Sequence, residues 1–161
     1  MTKKIPLPNG IFVIVDDEDY DFLMQWKWHV RSGGYVIREH HLGFVKGIRK
    51  RKRIYMHRVI NNTPDSLETD HINGDKLDNR RINLRNATRH QSIINRGSVS
   101  GSSSKYKGVC WRKDHHKWRA KIRINKKDIN LGSFTSEIDA ARAYDRAAIK
   151  YHGEYARLNA A

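Results

Sequence analysis

Residues 70–85 read Asp70-His71-Ile72-Asn73-Gly74-Asp75-Lys76-Leu77-Asp78-Asn79-Arg80-Arg81-Ile82-Asn83-Leu84-Arg85, a run dense in chemically able side chains. Hydrolysis of a phosphodiester needs a base to take a proton from water and a cation to neutralise the phosphate and leaving oxygen. Asp and Asn oxygens suit a hard divalent cation, and an imidazole such as His71 titrates near neutral pH. Neighbours on a strand point to opposite faces, so Asp70 and His71 serve one site only from a bend or loop edge. Asn73-Gly74 is a turn signal close by. A calcium loop is also rich in Asp and Asn, but here the glycine is fifth from Asp70 and Arg81 is twelfth, which fails that template. On residue types alone, a hydrolytic site and a polar surface loop both stay open.

The rest of the chain constrains what that segment meets. Its 161 residues carry 32 Lys+Arg against 17 Asp+Glu, and 32 − 17 gives +15. A balance this basic points to a polyanion. With 38% hydrophobic residues the chain has enough apolar material for small cores. The single cysteine, Cys110, excludes an intrachain disulfide framework and a four-cysteine zinc module. The longest apolar run, Ile11 to Val15, is far short of a membrane span, and MTKKIPLPNG carries no signal-peptide stretch. The expected setting is therefore cytoplasmic, with no membrane partner and no protein partner implied.

Residues 97–104, GSVSGSSS, are Gly or Ser at seven of eight positions and read as flexible coil. They divide the chain into 1–96 and 105–161. Residues 1–96 hold 18 basic and 11 acidic side chains, 18 − 11 = +7, and the remainder 14 and 6, 14 − 6 = +8. Both parts are thus expected on one polyanion. In the first part, Ile11–Val15 follows the turn signal Pro8-Asn9-Gly10 and reads as a strand. Asp16-Asp17-Glu18-Asp19 suits the first turn of a short helix. Trp26, Trp28 and Val30 alternate before Gly33-Gly34, and Tyr35-Val36-Ile37 resumes, giving a hairpin. Arg53–Ile60 reads as a strand or a helix start. Lys46–Arg53 holds six cations in eight residues and reads equally as a solvated loop or a phosphate contact. Leu84–Arg96 reads as a helix, with Arg85 and Arg89 at i,i+4 toward a nucleic-acid backbone or toward solvent.

The second part has a clean period of two. Trp118, Ala120, Ile122 and Ile124 alternate with Arg119, Lys121 and Arg123, which gives one apolar face and one row of cations. That row repels itself unless an anion lies over it. Tyr106–Arg112 and Lys127–Phe134 supply two more strands, with Asn125-Lys126 at a turn. Ser136 and Asp139 match a capping box. Ile138, Ala141, Tyr144, Ala148 and Tyr151 then recur at helical spacing up to a stop at Gly153. A small basic sheet on one helix suits a major-groove reader.

The segment Asp70–Asp75, Asp78-Asn79-Arg80, Ile82–Arg85, Ala87-Thr88-Arg89 and Gln91 resembles the HNH motif of phage and intron homing endonucleases. Val15–Tyr20, Trp26-Lys27-Trp28 and His57-Arg58 resemble the lead-in of the same proteins. The resemblance implies a ββα-metal fold and hydrolysis of double-stranded DNA with Mg²⁺ or Mn²⁺. His71 matches the general base, Asp70 the acidic metal ligand, and Asn83 the middle Asn that braces the loop. The third position falls on Ser92, where the family has Asn or His; Asn95, three residues on and so on the same face of the expected helix, is the preferred ligand in its place, and otherwise the metal site is weakened or catalysis impaired. His57 either packs between sheet and helix or contacts a phosphate.

Tyr106–Val109, Lys117–Arg123, Leu131–Phe134 and Ala140–Ala148 resemble the ethylene-response-factor (APETALA-type) DNA-binding domain. That resemblance implies a sheet in the major groove, with Lys107, Arg112, Lys121 and Arg123 on DNA and Arg119 beside them. Cys110 stands where an arginine is usual, so a target sequence does not transfer. The expected fold is α+β: a β-rich start leading into a ββα-metal core, a Gly/Ser linker, then a three-stranded antiparallel sheet on one helix. The expected function is a site-specific, nicking, homing-type endonuclease. The alternative is a DNA-binding protein with a degenerate site. RNA binding is less favoured, since the aromatic pattern of single-strand readers is absent.

Overall fold

A computed structural model of the chain describes residues 1–98 and 101–159. They gather into two compact units, Met1–Ser92 and Ile93–Ala161. The first unit opens with β1 (Thr2–Pro6) paired antiparallel to β2 (Phe12–Asp16). The turn between them places Asn9 and Gly10 at positive φ, a conformation those two residue types tolerate. Helix α1 (Asp17–Leu23) starts with Asp17, Glu18 and Asp19, where the helix dipole favours negative charge. A three-stranded sheet follows, of order β3 (His29–Val30), β4 (Val36–Val45), β5 (Ile48–Tyr55). Helix α2 (Met56–Ile60) leads to β6 (Glu68–His71), which pairs antiparallel with β7 (Leu84–Ala87), and α3 (Arg89–Ile94) comes next. The core of this unit is Ile5, Leu7, Val13, Val15, Leu23, Trp28, Val36, Met56, Ile60 and Leu84.

Three expectations change here. Lys46–Arg53 is not a loop: five of its six cations lie on β5, and Lys46 begins the two-residue turn Lys46-Gly47 before it. Arg53–Ile60 is both a strand end and a helix. Leu84–Arg96 is not one helix, because Leu84–Ala87 completes a four-pair ladder with Glu68–His71. Backbone groups of β6 need those partners, and that requirement overrides helix propensity.

The second unit is a sheet of order β10 (Lys127–Phe134), β9 (Lys117–Ile124), β8 (Val109–Arg112), with α4 (Glu137–His152) against it. Asn125 and Lys126 have φ 48° and 66°, the geometry of a type I′ hairpin turn. The apolar face of β9 is buried as its alternation requires, through Ala120 and Ile122. On α4 the buried stripe is Ala140, Ala141, Ala143, Tyr144, Ala147 and Ala148, whereas Ile138 and Tyr151 are each 45% exposed. Small side chains bring this helix close to the sheet, so the larger flanking residues of the expected stripe lie outside the contact. Ser136 caps α4 by accepting the Asp139 N–H.

The Gly/Ser segment is also corrected in part. Ser104 is buried, donates to the Glu137 carboxylate at 2.6 Å and accepts the Tyr106 N–H at 3.0 Å. Ser103 accepts the Trp111 N–H at 2.9 Å. Composition cannot distinguish coil serines from serines whose hydroxyls serve as local hydrogen-bond partners. Residues 99 and 100 of that segment lie outside the described residues. Among the described residues no helix is long and apolar enough to cross a membrane.

Candidate functional site

The polar segment leaves β6 at His71 and returns on β7, and its loop is fixed at many points. Asn83 accepts the Asn73 N–H at 2.9 Å and donates to the Asp78 carbonyl at 2.7 Å. Asp78 accepts from Asn73 at 2.9 Å and from Arg80 at 2.7 and 2.6 Å. The Arg80 guanidinium holds the Asp78 carboxyl below the usual carboxylate range. The middle of β2 anchors the loop from the other side: the Ile14 N–H donates to Leu77 and the Asn79 N–H to Ile14, both at 2.8 Å. Arg81 reaches α1, donating to Asp19 at 2.9 and 2.6 Å. Asn83 thus closes the loop on itself, while β2 and α1 fix it to the core.

Asp70 and His71 are both buried, at 9% and 5% exposure. Across the ladder Asp70 faces Arg85, whose Nε and Nη2 donate to Oδ2 at 3.0 and 2.8 Å. His71 has its Nε2 3.3 Å from Asn79 Oδ1, and the Asn79 amide is oriented by its own donation to the Lys76 carbonyl at 3.0 Å. That orientation selects the tautomer with the proton on Nε2 and the lone pair on Nδ1. Burial holds His71 below the ordinary imidazole range, against the opposing effects of Asn79, Asp70, Asp75 and Asp78. It is therefore neutral at physiological pH, as a base must be.

His57 belongs to α2 and packs rather than facing solvent. Its ring lies 5.1 Å from those of Tyr35 and His71 and 5.4 Å from Tyr55. Burial, then His71 and Arg58, lowers it to about 3, and its Nδ1 is buried without a hydrogen-bond partner. Tyr35, His57 and Asn79 lie around His71, with Tyr55 beside His57, and Tyr35, Tyr55 and Asn79 were given no role by sequence reasoning. The signal that could have found Tyr35 is its position directly after Gly33-Gly34, the turn against which Lys76 of the loop donates.

Of the remaining expected residues of this region, the structure brings Arg85 into contact with Asp70. Ser92 lies on α3, and its Oγ is buried without a hydrogen-bond partner. Asn95 lies past the end of α3 and falls in the second compact unit, so it does not continue a helix face with Ser92. Among the described residues no three His, Cys, Asp or Glu side chains gather, so a metal here would rest on mixed oxygen donors. The Asp70 carboxylate and the unpartnered Ser92 hydroxyl are hard donors that fit Mg²⁺ or Mn²⁺ in kind. Arg85 is on β7 rather than a helix, its side chain 12% exposed and bound to Asp70. Arg89 opens α3, 83% exposed and 3.8 Å from Glu68. The expected Arg85–Arg89 helical face does not form, because a strand and a helix divide the pair.

On the sheet of the second unit the cations have neighbours. Lys121 is 2.8 Å and Arg123 3.6 Å from Asp128 on β10. Arg119, Lys121, Asp128 and Asn130 line a cavity of about 170 Å³. The Arg119 Nε is buried without a partner. Arg112 pairs with Asp114. Lys107 is half-buried and donates to the Ile94 carbonyl, while Asn159 clasps its backbone N–H and carbonyl. Burial and the nearby Arg157 bring Lys107 down to about 8.

Comparison with known proteins gives one match to the C-terminal part and one that runs through both parts. The AP2 domain family profile matches residues 104–154. Over 152 residues the chain is 28% identical to "Uncharacterized HNH endonuclease L560" of Acanthamoeba polyphaga mimivirus, covering 94% of this chain and 76% of that protein. Over 82 residues it is 42% identical to "AP2-like ethylene-responsive transcription factor PLT2" of Arabidopsis thaliana, and 42% identical to "APETALA2-like protein 2" of Oryza sativa. These matches take in 47% of this chain and span 14% and 19% of the plant proteins. Residues 104–154 thus match the AP2 domain family, and most of the chain is similar to a viral protein named as an uncharacterized HNH endonuclease.

Proposed function

We propose that the chain is a DNA endonuclease of the HNH type, with the AP2 domain as its docking module. The observation that carries the reading is the β6–loop–β7 unit, in which a neutral His71 follows Asp70 in a loop braced by Asn83. The likeness to the viral protein over most of the chain supports it. His71 Nδ1 takes a proton from water, while its Nε2–H on Asn79 keeps the ring in that tautomer. Asp70 and Ser92 would hold one Mg²⁺ or Mn²⁺, which when bound supplies a cation to neutralise charge on the phosphate and leaving oxygen. The basic sheet of the second unit docks on double-stranded DNA, and the tether raises the local concentration of the nuclease on it. One such site per chain makes a nick, and a homing role is the fitting use.

A second reading, DNA binding without cleavage, is favoured by Ser92 at the third position and by the engagement of Asp70 with Arg85. Supercoiled plasmid incubated with protein and Mg²⁺ separates the two. Nicked circles from the natural chain, and none from His71→Ala, are the expected result. If both proteins bind and leave several plasmids intact, the second reading holds.

A further inference from the structure

Beyond the expected nuclease site and the AP2 sheet, β4 and β5 extend as a two-stranded ribbon whose residues 40–53 are all exposed. A free hairpin of this kind is marginal by itself, yet its composition is unusual. The register places Glu39 opposite Arg53, His41 opposite Arg51 and Phe44 opposite Arg49. Residues two apart share a face, so Arg49, Arg51 and Arg53 form one row that ends at Phe44. The bonds of Arg51 to Glu39 at 2.6 Å and of Arg49 to His41 at 3.4 Å run along that face and agree with it. Lys50 and Lys52 lie on the other face. Among the described residues Arg51 has a carboxylate partner, and Lys46, Arg49, Lys50, Lys52 and Arg53 have no ion pair. At the tip Phe44 is 73% exposed, with Leu42, Val45 and Ile48 also exposed.

We propose that this ribbon enters a groove of double-stranded DNA arginine face first, and that Phe44 wedges between base pairs, unstacking a step and bending the duplex. The inference rests on the DNA-binding reading above. A two-stranded ribbon fits a DNA groove, arginine forks suit phosphates, and apolar wedges beside cations kink duplexes. An anionic membrane, the other surface that cations and apolar groups fit, calls for apolar side chains on one face and cations on the opposite one. Here Phe44 shares the arginine face while Val45 and Ile48 lie on the lysine face, so the apolar groups mark the tip and not a side. The bulge between His41 and Phe44, with Gly43 at φ +87°, turns that tip.

The test uses the full chain in chelator, so that cleavage plays no part. Short duplexes carry 2-aminopurine at successive positions and a fluorophore pair at their ends. The natural chain is expected to raise 2-aminopurine fluorescence and shorten the end-to-end distance. Phe44→Ala, at an exposed position that leaves folding intact, is expected to lose both signals and bind roughly tenfold more weakly. Arg49→Ala with Arg53→Ala is expected to lower the salt slope of binding by roughly 2. If the natural chain binds and Phe44→Ala matches it in affinity and fluorescence, the wedge is wrong and DNA binding stands. If the natural chain binds no duplex, the underlying reading fails and takes the wedge with it. Phe44-dependent binding to phosphatidylserine vesicles, with no Phe44 effect on DNA, overturns the proposal in favour of a membrane.

Discussion

Strands β5 and β9 are each eight residues long and each carries regularly placed cations, yet they are different objects. In β9 the alternate residues are apolar, one face is buried beneath α4, and the cations fall on the other. In β5 the residues between arginines are lysines, and neither face is buried until Ile54. β9 also has an anion from its neighbour, since Asp128 stands beside Lys121 and Arg123. The ribbon has Glu39 for Arg51. Alternation between apolar and charged residues specifies a sheet and a core together. Alternation between two kinds of cation specifies neither, and leaves both faces of the strand exposed.

The largest expected contrast is in stability. A methyl on Gly108, at φ +76°, would overlap the Tyr144 ring and stand 2.7 Å from the Lys121 carbonyl. Gly108→Ala should destabilise the second unit by about 3 kcal/mol or more, from overpacking and backbone strain together. Gly47, at φ +72° on the ribbon turn, has nothing within 4 Å of such a methyl. Gly47→Ala should cost about 1 kcal/mol. Urea titration of the two variants checks this, and equal losses would remove the distinction between the sheets.

A pH contrast comes next. The His57 value of about 3 lies below the ordinary imidazole value of 6.5. Between those values the unfolded chain binds a proton that the folded chain does not, so stability falls as pH falls through that window. At pH 5 the loss from His57 is about 2 kcal/mol, and His71 acts in the same direction. Among the described residues, the buried histidines are these two, both in the first unit. Hydrogen-exchange protection should therefore drop around β6 and α2 between pH 7 and pH 5 and hold around β9. Constant protection around β6 would mean that His57 is not dry.

The smallest effect is electrostatic. Asp128→Asn releases two cations and Glu39→Gln one, so the salt slope of DNA binding should steepen by roughly 2 and roughly 1 respectively. The same slope in both variants and the natural chain would show that neither carboxylate masks a DNA contact.

Legibility in the sequence followed the same division. The meander and helix of the second unit were readable from Trp118, Ala120, Ile122 and Ile124 and from the Ser136 cap, because burial on one face writes a period. The β6–β7 pairing was not, because Leu84–Ala87 is too short to carry a period and its strand state comes from partners 13 to 19 residues back, His71 to Glu68. The motif residues Asp70, His71 and Asn83 could be named in advance, but not the engagement of Asp70 by Arg85 or the rings of Tyr35 and His57 beside His71.

The order of residues alone settled the net charge, the absence of an intrachain disulfide framework and the amphipathic strand of the second unit, and it offered candidate groups for hydrolytic chemistry. Those are properties of side-chain type and local spacing. Tertiary structure decided which of those groups are buried, which tautomer His71 adopts, and which cations meet an anion. Each of these depends on the local dielectric and on atoms brought together from distant positions along the chain, and neither is a local property of sequence.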